Sequence, residues 1–221
     1  MQFTLLVFDW DGTLMDSEAR IVRCLQAAAQ DLQLSIPTRE QSRNIIGLGL
    51  HEAVTALFPE ADGTLINRLA EAYRHHFLGT DPTPAPLFPG AEEVLRQLAS
   101  EEYLLAIATG KGRRGLERVL DETGLRDLFH CTRCADETFS KPHPEMLLQI
   151  MAVLDVAPQQ TLMIGDTEYD MQMAIHAGSE RLAVSYGVHA SERLLQHQPL
   201  GCLDAIAELP AWLGLVPAYA E

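Results

Sequence analysis

The stretch TLLVFDWDGTL, Thr4 to Leu14, decides how the rest of the chain is read. Residues 4–8 form a nearly continuous apolar run, the pattern of a strand covered on both faces in a parallel sheet. Two acids, Asp9 and Asp11, then stand one residue apart where the run ends. Period-two geometry points both the same way if the strand persists, with Trp10 opposite and packed inward. Gly12 lets the backbone turn sharply and bares amide donors. A solvated turn uses acids casually, whereas a catalytic site needs them at a fixed spacing, so the remaining segments must discriminate.

Downstream, Ile21, Leu25, Ala28 and Leu32 recur at helical spacing within 16–34, with Asp16 or Ser17 as N-cap. Further helical patterns cover 38–58 and 63–78. Gly79–Gly90, GTDPTPAPLFPG, carries four prolines in twelve residues and reads as a linker, because proline neither continues a helix nor donates to a ladder. Beyond it the pattern alternates. Helices at 91–100, 113–122, 143–153 and 168–177 are interleaved with strands at 103–109, 129–134, 161–166 and 181–186. The fold class is therefore α/β: a doubly wound parallel sheet with a Rossmann-like core, and a helical cap domain inserted after the first strand. Residues 1–15 and 85–221 form the core and 16–84 the cap. An insertion there lies beside the carboxyl ends of the strands, where open α/β sheets place ligands, so it is expected to act as a lid. Its hinges are expected near Leu14–Ser17 and in the proline-rich segment. Ile206, Leu209 and Leu213, at helical spacing after Pro199, are expected to pack on the core.

The totals narrow the function. The chain has 221 residues, 47% hydrophobic and 21% charged, which is ordinary globular composition. Its 31 acidic residues against 16 basic ones give a net charge of -15, which argues against nucleic acid or an anionic membrane as partner. No signal-peptide pattern or membrane-spanning run is visible, and Cys24, Cys131, Cys134 and Cys202 are too few for a disulfide framework, so a cytoplasmic location is expected. The CTRC segment has zinc-knuckle spacing, but no second ligand pair follows nearby; burial at a strand end is the expected fate of Cys131 and Cys134.

Each strand end carries something polar: Asp9 and Asp11, then Thr109, Gly110 and Lys111, then Lys141 within SKPHP, then Asp166 and Asp170 within GDTEYD. Like charges about 4 Å apart repel by about 4 kcal/mol at an effective dielectric of 20, so clustered carboxylates need a cation. Mg2+ takes hard oxygen ligands and keeps room for phosphate oxygens. Thr109, the amides after it, and Lys141 offer hydrogen bonds and charge to a phosphoryl group.

Four segments, DWDGT, AIATG, SKPHP and IGDTEYD, resemble in order and spacing the motifs of the haloacid dehalogenase-like hydrolase superfamily. DGTLMDS, GLGL (Gly47–Leu50) and KPHPEML are most similar to its phosphoglycolate phosphatase group, with a small helical cap. The resemblance implies Asp9 as the nucleophile that becomes an aspartyl-phosphate, and Asp11 as acid and then base. It implies Thr109 and Lys141 as orienting and stabilising groups. It also implies Mg2+ held by Asp9, the backbone carbonyl of Asp11, Asp166 and, directly or through another ligand, Asp170. Gly110 and Lys111 are expected at the substrate phosphate, and Arg43, one turn before GLGL, at a substrate carboxylate. His143 is expected to shape a turn, His75 and His76 to face solvent, and Arg113 and Arg114 to begin a helix. The implied activity is hydrolysis of a small phosphorylated metabolite, with a monomer as the default state and a homodimer as the alternative. A phosphomutase of the β-phosphoglucomutase kind shares the core motifs. A phospho-receiver domain shares the acids, hydroxyl and lysine but not the helical insertion.

Overall fold

The computed structural model describes residues 3–215. Its first strand, β1 (Leu5–Phe8), is followed by four helices: α1 (Glu18–Asp31), α2 (Arg39–Asn44), α3 (Leu50–Leu57) and α4 (Gly63–His75). A π-helical turn, His76–Thr80, prolongs α4. Then come α5 (Ala91–Ser100), β2 (Leu104–Thr109), α6 (Arg113–Thr123), β3 (Cys131–Cys134), α7 (Glu145–Leu154), β4 (Thr161–Gly165), α8 (Glu168–Ala177) and β5 (Glu180–Val184). The chain closes with α9 (Ser191–Leu195), β6 (Cys202–Leu203) and α10 (Leu209–Trp212).

All pairings are parallel, and the six strands lie in the order β3-β2-β1-β4-β5-β6. The order reverses at β1, so the crevice beyond β1 and β4 is the topological switch point where open sheets bind ligands. Register places Phe8 beside both Ile107 and Ile164, which sets Asp9 next to the ends of β2 and β4.

The apolar run of β1 is explained by its position. Leu6 and Phe8 join one core cluster with α5 and α6, while Leu5 and Val7 join the other with α7 and α8. All four are fully buried. Trp10 is buried in the first cluster, edge-on to Phe129, and its indole N–H meets Met15 Sδ at 3.3 Å. Cys131 and Cys134 fall in opposite clusters, so they share no ligand, and burial pushes the Cys134 thiol up to about 12.

Three expectations are corrected. The single helix expected over 38–58 is broken at Ile45–Gly49, where Gly47 takes φ +101°. Two short elements, α9 and β6, were not anticipated, because five and two residues carry no readable period. Ser17 occupies the N-cap position of α1 but makes no capping bond; its hydroxyl is used elsewhere. The two chain crossings between helices α1–α4 and the sheet run side by side. Asp16 N donates to Pro86 O at 2.8 Å, Phe88 N to Leu14 O at 2.9 Å, and Met15 pairs antiparallel with Leu87. After Pro199, Leu209 of α10 packs into the first cluster, as its spacing predicts.

Candidate active site

Asp9 follows β1 directly, and its amide continues the ladder by donating to Ile164 O. Its side chain meets Asp166, just past β4, and Asp170, in the first turn of α8; ligand oxygens of all three lie within 4.8 Å of one another. Lys141 Nζ stands 2.8 Å from Asp9 Oδ1 and 2.7 Å from Asp170 Oδ1, at ion-pair distance but off hydrogen-bond alignment. None of these four residues is more than 1% exposed.

Three carboxylates against one ammonium leave two negative charges buried. Burial pushes Asp9 well above the usual carboxylate range; Lys141 pulls back, and Asp170 and Asp166 push further. Asp166 is pushed up to about 7, mainly by burial and then by Asp170. Burial pulls Lys141 down, but Asp170 and Asp9 outweigh it and hold the ammonium above its ordinary value. Such a cluster is under-neutralised without a further cation.

Each acid is held by neighbours that the strand–turn–helix geometry supplies. Asp166 accepts from Thr13 Oγ1 and Val188 N, both at 2.8 Å. Asp170 forms a capping box with Thr167, accepting from its hydroxyl at 2.6 Å. Asp9 Oδ1 accepts from Trp10 N at 2.6 Å, whereas buried Oδ2 has no hydrogen-bond partner. Gly12, at φ +86°, is required here, since a Cβ would lie 2.2 Å from Asp166 Oδ2.

Asp11 is turned away from this group. Its Oδ1 accepts from Ser17 Oγ at 2.6 Å, and its Oδ2 pairs with Lys111 Nζ at 2.9 Å. Asp9, Asp11, Thr109, Gly110 and Lys111 border a cavity of about 390 Å3, roofed by residues of α1, α3, α4 and the Ile45–Gly49 turn. Asp9 is the only described residue that belongs both to the carboxylate group and to the cavity lining. Lys141, Asp166 and Asp170 support it without lining the cavity.

The roof is seated on the sheet. A Cβ on Gly110 would lie 2.4 Å from Leu48 O and 2.5 Å from Gly47 O, so the cap turn touches the loop after β2 backbone to backbone. Gly49 N donates to Ser140 Oγ at 2.7 Å. Asn44 O accepts from Tyr169 Oη at 2.8 Å, and Asn44 Oδ1 takes Arg193. Arg43 is drawn into the same clasp: its Nη2 donates to Val188 O at 2.8 Å, and it does not line the cavity. The sequence spacing put Arg43 one turn before GLGL correctly, but the broken helix directs it to the core surface.

Sequence reasoning missed Thr13, Ser17, Ser140 and Asn44. Thr13 and Ser17 lie inside DGTLMDS and were legible as hydroxyls beside acids; Ser140 opens SKPHP but acts across the fold, and Asn44 does so with no local signal. Of the other expectations, His143 accepts from Glu145 N within a turn, and Arg113 begins α6, tied to Glu137 and Glu117. His75 is exposed, but His76 is half-buried and meets Asp31 at 2.7 Å.

Comparison with known proteins places the chain by family and by fold. The family model described as haloacid dehalogenase-like hydrolase matches residues 6–184. A probable phosphatase, IndB, of Dickeya dadantii is 33% identical over 211 residues, covering 93% of this chain and 91% of the relative. A pyrophosphatase, PpaX, of Anoxybacillus flavithermus is 26% identical over 216 residues, covering 97% and 99%. In fold, the chain is similar to a crystal structure of a predicted phosphoglycolate phosphatase from Haemophilus somnus. The TM-score is 0.87 at 22% identity, covering 96% of this chain and 99% of that one.

Proposed function

The chain belongs to the haloacid dehalogenase-like hydrolase family, and from that membership we propose that it is an Mg2+-dependent phosphatase, phosphoglycolate phosphatase-like, that hydrolyses a small organic phosphate monoester through an aspartyl-phosphate on Asp9. The observation that carries this reading is the double membership of Asp9. It joins a buried, under-neutralised carboxylate group, yet it borders the cavity at the switch point, and its Oδ2 is buried without a hydrogen-bond partner.

The donors fit magnesium: all are hard oxygens, they converge, and their residual charge is negative. Asp9, Asp166 and Asp170 would hold the ion, joined, as the family motif implies, by the backbone carbonyl of Asp11. When bound, Mg2+ offsets the repulsion between these acids and an incoming phosphate.

The chain's own groups then divide the work. An Asp9 oxygen attacks phosphorus as the bond to the leaving oxygen breaks, and the proton on Asp11 passes to that oxygen. Asp11, now a carboxylate, takes a proton from water as the water oxygen attacks phosphorus; the bond to Asp9 breaks and phosphate leaves. Paired with Lys111, Asp11 is set for the second half. A phosphoryl group competes for Lys111 Nζ and frees Asp11 to carry the proton of the first half. Thr109 orients the transferred group, and Lys141 fixes Asp9 against Asp170. Free thiols at all four cysteines suit a reducing cytoplasm, and the working state is a monomer.

The test is phosphate release with Mg2+ from a panel of esters, phosphoglycolate included, by the native chain and Asp9→Asn. Release by the native chain alone is expected; undiminished release by the variant removes Asp9 from the reaction. Isomer interconversion without net release would make the protein a mutase instead.

A further inference from the structure

We propose that the ester this site takes has an uncharged, apolar leaving group, an aliphatic or aromatic alcohol, and that carboxylated esters and pyrophosphate are disfavoured. The inference rests on the phosphatase reading for what happens to the ester and departs from the phosphoglycolate likeness in the leaving group. Its ground is the cavity wall contributed by the cap. Its buried part is Ile21 and Leu25 from α1, Ile45 and Ile46 from the α2–α3 turn, Tyr73 from α4, and Phe77, while the polar cap residues that also line the cavity, His51, Glu52 and Arg74, are exposed. Tyr73 and Phe77 stack with ring centroids 5.5 Å apart and planes inclined by 21°. The five residues other than Tyr73 are at most 8% exposed and are continuous with the cap's own apolar cluster.

The cations are placed where they do not serve such a wall. Among the described residues, Lys111 is the only cation lining the cavity whose side chain is withdrawn from solvent. Its Nζ is already shared between Asp11, at 2.9 Å, and the face of Phe77, 4.5 Å from the ring centroid. Arg74 and Arg114 also line the cavity, but both are exposed. Arg43, which the sequence suggested for a carboxylate, is spent on Val188 O. A second anionic group on the substrate would lose its hydration against Ile and Leu side chains, close to Asp9 and Asp11, without gaining a buried cationic partner. A methylene in the same place gains about fourfold in affinity.

Phosphonates, which the site cannot turn over, separate this preference from catalysis. Calorimetry with Mg2+ would compare butylphosphonate, hexylphosphonate and 3-phosphonopropanoate. Phosphate release would be followed in parallel from butyl phosphate, hexyl phosphate, phosphoglycolate and pyrophosphate. Hexylphosphonate is expected to bind about fifteenfold more tightly than butylphosphonate, and the carboxylated ligand at least about tenfold more weakly than either. The same order is expected in kcat/KM. Equal affinities along the series, no binding of the alkyl ligands, or preference for the carboxylate or pyrophosphate overturns the proposal. If the phosphonates follow the expected order while no ester is hydrolysed, the cavity preference stands and the phosphatase reading falls.

Discussion

The edge of the sheet and the wall of the cap face each other across one cavity and are built on opposite principles. At the sheet edge, Asp9, Lys141, Asp166 and Asp170 are charged and almost wholly buried, each fixed by several partners. Across from them, the buried part of the cap wall is aliphatic and aromatic and continuous with the cap's own apolar cluster. Charge in a low-dielectric setting requires specific geometry and repays it with strong local fields. Apolar contact is tolerant and additive. The first suits a step common to every substrate, the second a choice among substrates.

Five changes break or sharpen this contrast. Asp9→Asn should lower phosphate release by about 10^4-fold or more, measured as kcat at saturating substrate; a small loss would move the chemistry off the sheet edge. Lys141→Met should strip the cluster of its ammonium, and an uncompensated buried charge costs about 3–5 kcal/mol. Thermal melting should fall by about 10 °C. Part of that loss should return at lower pH, because Asp9 and Asp166, both raised, can take up protons.

Gly110→Ala leaves every carboxylate in place but pushes on the carbonyls of Gly47 and Leu48. Misplacing the cap in this way should cost about 10- to 100-fold in kcat/KM with Mg2+ affinity unchanged; equal losses in both would show that cap and edge are not separable. For pH, Asp166 titrates at about 7 in the folded chain against an ordinary value of 3.8. Between those values the metal-free folded protein holds a proton that the unfolded chain has lost, so this group's contribution to stability falls as pH rises through the window. Magnesium must displace that proton, and its stabilising effect should therefore grow from pH 5 to 8 in melting curves at fixed Mg2+. The smallest effect is expected from Arg43→Gln, which removes a hydrogen bond to Val188 O worth about 1 kcal/mol and a partly exposed ion pair with Glu18 at 3.5 Å. Activity should change by less than about tenfold; a larger loss with a carboxylated substrate would return Arg43 to the site.

The same contrast governs how much was legible in the sequence. The sheet edge was, because Asp9, Asp11, Thr109 and Asp166 end or follow strands, with Lys141 and Asp170 in the segments just beyond, and strand periodicity and turn chemistry are local properties of the chain. The continuous apolar run of residues 4–8 made β1 readable as doubly covered, and the structure divides it, Leu6 and Phe8 to one face and Leu5 and Val7 to the other. The cap wall was not. Whether Ile45 faces solvent, core or cavity depends on a helix break at Gly47 and on contacts with Ser140, Tyr169 and Arg193, all distant in sequence. Arg43 illustrates the gap: its position along the chain was right and its direction was not.

The paired crossings at Met15 and Leu87 carry a consequence for descent. Because the inserted segment departs and returns through adjacent, hydrogen-bonded points, it behaves as a cassette. A foreign helical segment with the same footprint, grafted between those two residues, leaves the sheet's connectivity untouched. The block between Met15 and Leu87 is thus exchangeable with no change in the order of the six strands.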